Sequence, residues 1–118
     1  MQLSQLPSDS AVMLVRCAEQ ISQSEIQHDR DPMSDLLGPG TYARRVLFDL
    51  SQTSYIDSSG VSWMLSMHKR FRNAGGKIVY HSAPPLVQQT LDLLRMNLVL
   101  NITPDLETAR GLAQEGRS

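Results

Sequence analysis

Arg45-Val46-Leu47-Phe48-Asp49-Leu50, followed by Tyr55-Ile56-Asp57-Ser58-Ser59-Gly60, is the stretch that decides how this chain folds. The first run is almost continuously apolar, which predicts a central strand covered on both faces. Ser51 to Ile56 reads as a short connection. From Ser58 onward the period changes. Val61, Met64, Leu65, His68 and Phe71 recur at helical spacing, so a helix is predicted over Ser58 to Asn73. Ala74-Gly75-Gly76 ends it, with glycine supplying the left-handed turn. Asp57 and Ser58 are both good N-cap residues. Open α/β sheets place their sites where strands end and helices begin. The unpaired N–H groups of a helix start favour an acceptor oxygen or a negative charge.

On the C-terminal side, Lys77 to His81 predicts another strand. Ser82-Ala83-Pro84-Pro85 opens a helix ending near Asn97, with proline tolerated in its first turn. Val87, Leu91 and Leu94 form its apolar stripe, widened by Leu86, Thr90 and Leu93. Leu98 to Ile102 predicts a further strand. Thr103-Pro104-Asp105 starts a last helix that runs to about Gln114. On the N-terminal side, Ala11 to Cys17 predicts a strand, and residues 1–9 read as a flexible lead-in. A short helix is expected from about Asp31 to Leu37, closed by Gly38-Pro39-Gly40. This alternation predicts an α/β fold: a single domain over residues 10–114 with a tail at 115–118. Its sheet is mixed and mostly parallel, four- to five-stranded, with helices packed on it.

The chain has 118 residues, 41% hydrophobic and 19% charged, with a formal net charge of −1. These values suit one soluble domain and give no electrostatic case for nucleic acid. The N-terminus lacks a basic, then apolar, signal pattern, and no run approaches the ~20 apolar residues of a membrane helix. A cytoplasmic domain without direct membrane insertion is expected. The single cysteine, Cys17, sits in an apolar run and reads as a buried thiol. His28, His68 and His81 form no metal-type pair, so neither a metal nor a cofactor is expected. No Gly-x-Ser-x-Gly elbow surrounds Ser58, which argues against a hydrolase nucleophile. Gly75-Gly76 leads into a strand and is not a phosphate loop. Arg44-Arg45 and Lys69-Arg70 read as solvated charge pairs.

Taken alone, Asp57 and Ser58 could simply cap a helix. The surrounding residues add a resemblance. Tyr55-Ile56-Asp57-Ser58-Ser59-Gly60-Val61 resembles the signature of STAS domains, the anti-sigma factor antagonist family. Val46 to Ser51 resembles the family's preceding strand, Ala74 to Ile78 its turn into the next strand, and Ser82 to Val87 its Ser-Pro helix start. The four features occur in order across about residues 45–110. Ala18 to Arg30 departs from the pattern, lacking the usual Gly-Glu-Leu-Asp type segment. Trp63 stands where small or aliphatic residues are usual.

The resemblance implies a non-enzymatic phospho-switch. Ser58 occupies the phosphate-accepting position, while Asp57, Ser59 and Gly60 organise the turn. The implied partners are a serine-kinase anti-sigma factor, bound when Ser58 is unphosphorylated, and a serine phosphatase that resets it. A scaffold role, or one as accessory subunit of a lipid-trafficking ABC transporter, is the alternative. Val61, Ser62, Trp63 and Met67 are candidate partner contacts. For Trp63 and Met67 two readings stand: a widened buried face, or an exposed apolar pair beside Ser58.

Overall fold

A computed structural model describes residues 1–7, 12–24, 26 and 30–114. Six strands form one sheet: β1 (Gln2–Leu6), β2 (Met13–Ile21), β3 (Arg45–Asp49), β4 (Thr53–Ile56), β5 (Lys77–His81) and β6 (Ile102–Thr103). Their order is β1-β2-β3-β5-β6, and β4 also pairs with β2. β1 runs antiparallel to β2, from Gln2 opposite Ala18 to Leu6 opposite Leu14. Every other pairing is parallel. The sheet is thus mixed and mostly parallel as expected, with six strands rather than four or five.

Four helices accompany it: α1 (Pro32–Leu37), α2 (Ser58–Asn73), α3 (Pro85–Leu93) and α4 (Leu106–Ala113). The two-residue side-chain period of the strands explains the layers. Val46, Phe48, Ile78 and Tyr80 share a cluster with Val61, Met64 and Phe71 of α2. Leu47 and Val79, from the intervening positions, pack with Ala109 and Ala113 of α4 on the other face. The Tyr80 hydroxyl donates to the Met64 carbonyl at 2.8 Å, which satisfies a polar atom deep in the core.

Several expectations are corrected. Residues 1–9 were expected to be a flexible lead-in; Gln2–Leu6 is instead a strand, because the outer edge of β2 offers backbone groups that need a partner. Ala11, Ser8 and Asp9 lie outside the described residues, as do His28 and the tail at 115–118. Ser51 to Ile56 is not a plain connection. Its second half is β4, fixed by the Thr53 hydroxyl donating to the Cys17 carbonyl at 2.9 Å and by pairing with the far half of β2. Leu98 to Ile102 is not a full strand: Met96–Leu98 is a 3-10 turn entered through Arg95 at φ 60, and only Ile102 and Thr103 pair with β5. The α3 stripe is narrower than its sequence suggests. Val87 and Leu91 are buried, whereas Leu86, Leu94 and Leu93 (75% exposed) face outward. α3 runs only nine residues and leans on β4, so one i, i+4 pair reaches the core.

Candidate functional site

The site is built where β2 and β4 converge on the start of α2. The pairing of β2 with β4 shifts register at Glu19 and Gln20, where Ser54 is the extra residue on β4 and Glu19 stands at φ 69. The first half of β2 pairs with β3, and the second half is turned onto β4. This brings Ile21 and Gln23 against the turn that follows β4.

Asp57 is the N-cap of α2. One carboxylate oxygen accepts the Gly60 N–H at 2.8 Å; the other accepts the Gln23 N–H at 3.1 Å. The Asp57 N–H in turn donates to the Ile21 carbonyl at 3.4 Å. A single side chain therefore ties β2, β4 and α2 together. Desolvation pushes the Asp57 carboxyl upward, but the N–H groups of Gln23, Gly60, Ser59 and Asp57 itself outweigh it and hold it below its ordinary value. The carboxylate is charged at neutral pH. Gly60 follows from the same convergence. A Cβ there would collide with the Ile21 carbonyl oxygen and come within 2.9 Å of Ile56 Cγ1.

Ser58 is the first residue of α2 and is exposed. Among the described residues its hydroxyl makes no hydrogen bond, and the capping of α2 is performed by Asp57. Ser59 is half-buried and Ser62 is exposed. Val61, Trp63 (9% exposed) and Met67 (3%) are buried, which overturns the reading of an exposed apolar pair. The Trp63 ring lies 5.9 Å from that of Phe48, and the Met67 sulfur 3.8 Å from the Tyr42 hydroxyl. Met67 is covered by Tyr42 of the segment leading to β3 and Trp63 packs on Phe48 of β3, so both widen the core face.

A second cluster at the far end of α2 has no counterpart in the sequence reading. Asp31 caps α1 through the Ser34 N–H at 3.2 Å, accepts the Tyr42 hydroxyl at 2.6 Å, and meets Arg70 Nη1 at 3.1 Å. The Arg70 guanidinium stands over the Tyr42 ring, 5.5 Å from its centroid. Arg70 is therefore a strut between α1 and α2, not simply a solvated charge. Desolvation and the Asp31 carboxylate push the Tyr42 phenol up to about 12. No local signal marks this cluster, since Asp31 and Arg70 are 39 residues apart.

Cys17 is buried, and desolvation pushes its thiol up to about 11, which leaves it a packing residue. Among the described residues no His, Cys, Asp and Glu cluster could hold a metal ion, and no helix is long and apolar enough to cross a membrane.

Fold and turn together define a class: a small α/β domain that presents an Asp-capped, hydroxyl-bearing turn at the mouth of an inner helix. The profile of the STAS domain family matches residues 4–109. The chain belongs to the STAS domain family. The fold is shared with the Thermotoga maritima protein TM1081, a proposed anti-sigma factor antagonist, at a TM-score of 0.80 and 15% identity over 96% of this chain and 95% of that one. It is shared with the anti-sigma factor antagonist SpoIIAA in its unphosphorylated form, at 0.69 and 13% identity over 92% of both chains. It is shared too with a domain of the murine anion transporter Slc26a9, at 0.71 and 15% identity over 92% of this chain but 18% of the transporter.

Proposed function

We propose that this STAS domain is a phospho-regulated anti-sigma factor antagonist. It binds a serine-kinase anti-sigma factor while Ser58 is unphosphorylated and is released when Ser58 is phosphorylated; a serine phosphatase resets it. It acts as a binding module rather than an enzyme. The observation that carries this reading is the division of labour at the turn. Asp57 caps the helix, which leaves the Ser58 hydroxyl exposed and uncommitted at a helix N-terminus. Support also comes from SpoIIAA of Bacillus, a protein of the same fold solved in a phosphorylated form.

Phosphate on Ser58 adds about −1.5 to −2 charges. The helix N-terminus tolerates this, because its macrodipole favours negative charge. An interface over the same turn does not tolerate it, since a partner would have to desolvate a dianion beside the Asp57 carboxylate. Binding can therefore switch without unfolding. Ser58→Asp is expected to abolish binding to the kinase in calorimetry while Tm stays within a few degrees. Equal binding by Ser58→Asp and the unsubstituted protein sinks the proposal. Mass spectrometry of Ser58 on protein from its native cell checks the modification itself.

Membership of the STAS family leaves a second reading, a STAS scaffold or accessory subunit in a larger assembly such as a lipid-trafficking ABC transporter; an anion transporter that carries the same fold within a longer chain is compatible with it. Co-purification separates the two: a small soluble kinase supports the first, a transporter ATPase or large assembly the second.

A further inference from the structure

α3 and the turn after it leave an apolar face on the outside of the molecule. α3 buries Val87 and Leu91, one turn apart, in the core. Leu86, Thr90 and Leu93 lie one step round the helix and form a second stripe beside them. Leu86 is 60% exposed and Leu93 75%. The 3-10 turn Met96–Leu98 packs back on α3. Met96 and Leu100 anchor that turn in the core, which leaves Leu98 (74% exposed) and Val99 (47%) outside, four and five residues after Leu94 (44%). Of the seven large apolar side chains exposed among the described residues, these are five. A single exposed leucine is ordinary, whereas a cluster marks an interaction site. The polar groups nearby are already satisfied. The Thr90 hydroxyl donates to the Leu86 carbonyl at 3.2 Å, so it can be covered without losing its partner. Asp92 lies on another side of α3, where it accepts Gln88 Nε2 at 2.9 Å.

We propose that this face joins two copies of the chain in a twofold dimer, with α3 antiparallel to the α3 of the second copy and crossing it at Thr90. Size, symmetry and charge select a second copy. The five side chains expose roughly 500 Å², so a pair buries ~1,000 Å² before any rim is counted, the area at which a specific interface forms. A twofold contact sets residue i of one copy against residue j of the other, and j against i. Leu86 and Leu94 each stand four residues from Thr90, so Leu86 of either copy meets Leu94 of the other. Thr90, smaller than the leucines around it, lets the two axes approach where they cross. The stripe carries no charge, so two identical faces do not repel each other. The dimer does not depend on the Ser58 reading.

Sedimentation velocity of the full chain is expected to show monomer passing to dimer between about 10 and 500 µM, the range for an interface of this modest size. Leu93→Asp, at an exposed position, should keep the Tm and stay monomeric. Cysteine cross-linking under mild oxidation reads the register, because the native Cys17 is buried. Thr90→Cys, next to the twofold axis, should form a disulfide-linked dimer. Leu86→Cys mixed with Leu94→Cys should cross-link to each other faster than either does to itself. Gln88→Cys, on the Asp92 side of α3, should not cross-link. A chain that stays monomeric throughout that range overturns the dimer. So does a dimer that Leu93→Asp leaves intact, or a Thr90→Cys protein that cross-links no faster than Gln88→Cys. A monomeric chain that loses the kinase on Leu93→Asp assigns the face to the kinase instead, which also overturns the dimer. Ser58→Asp separates the two proposals: it should dimerise like the unsubstituted protein, whether or not it still binds the kinase.

Discussion

The α-carbon of Gly60 rests against the backbone carbonyl of Ile21, so close that no side chain fits between them. The contact joins the first turn of α2 to the end of β2, two elements held at the same point by Asp57. The glycine of the signature turn is thus required by close approach rather than by an unusual dihedral.

Gly60→Ala must separate α2 from β2. Overpacking of this kind costs roughly 1–3 kcal/mol, and backbone is the less yielding partner. We expect a lower denaturant midpoint and, in hydrogen exchange, loss of protection at Gln23 and Gly60.

Asp57 gives a pH signature of a defined sign. Its carboxyl titrates below the ordinary 3.8 in the folded protein. Its contribution to stability is therefore complete above that value and is lost as pH falls through the lower folded one. Asp57→Ala should cost about 1 kcal/mol, the usual loss of a helix N-cap. Asp57→Asn keeps a capping oxygen, so it should retain much of the stability at pH 7 and flatten the loss below pH 4. Urea unfolding of the three proteins across that range checks both.

Trp63→Ala should act on folding first. The ring is buried against Phe48. Truncating a buried tryptophan costs roughly 3–5 kcal/mol. A stability loss below 1 kcal/mol in chemical unfolding would contradict the burial described here.

Histidine protonation sets a second, higher pH limit. Desolvation, and then Arg72, hold His68 below 6.5; desolvation likewise dominates at His81, against the opposing pull of Asp49 and Asp105. A folded pKa below the unfolded one contributes stability that is present above pH 6.5 and is lost as pH falls. Tm should decline between pH 7 and 5. His68→Leu, at a buried position of the α2 stripe, should make that decline shallower.

Much of this molecule is legible in the sequence where the signal is local. The bounds of α2, its Asp57 cap, the Gly75 stop and the strands β3 and β5 each follow from residues within a few positions of one another. The signature turn and its order among the neighbouring motifs carry the family.

Only tertiary structure decided the rest, because those features join residues far apart in the chain. β4 pairs with the end of β2 that runs beyond the stretch covered by β3, and β1 with the edge of β2 away from β3. Gln23 reaches Asp57 across 34 residues, and Asp31 reaches Arg70 across 39. Helical projection places Trp63 and Met67 at the margin of the core stripe, but cannot say whether another segment covers that margin. Tyr42 covers Met67, and Phe48 of β3 covers Trp63. The apolar pair became core.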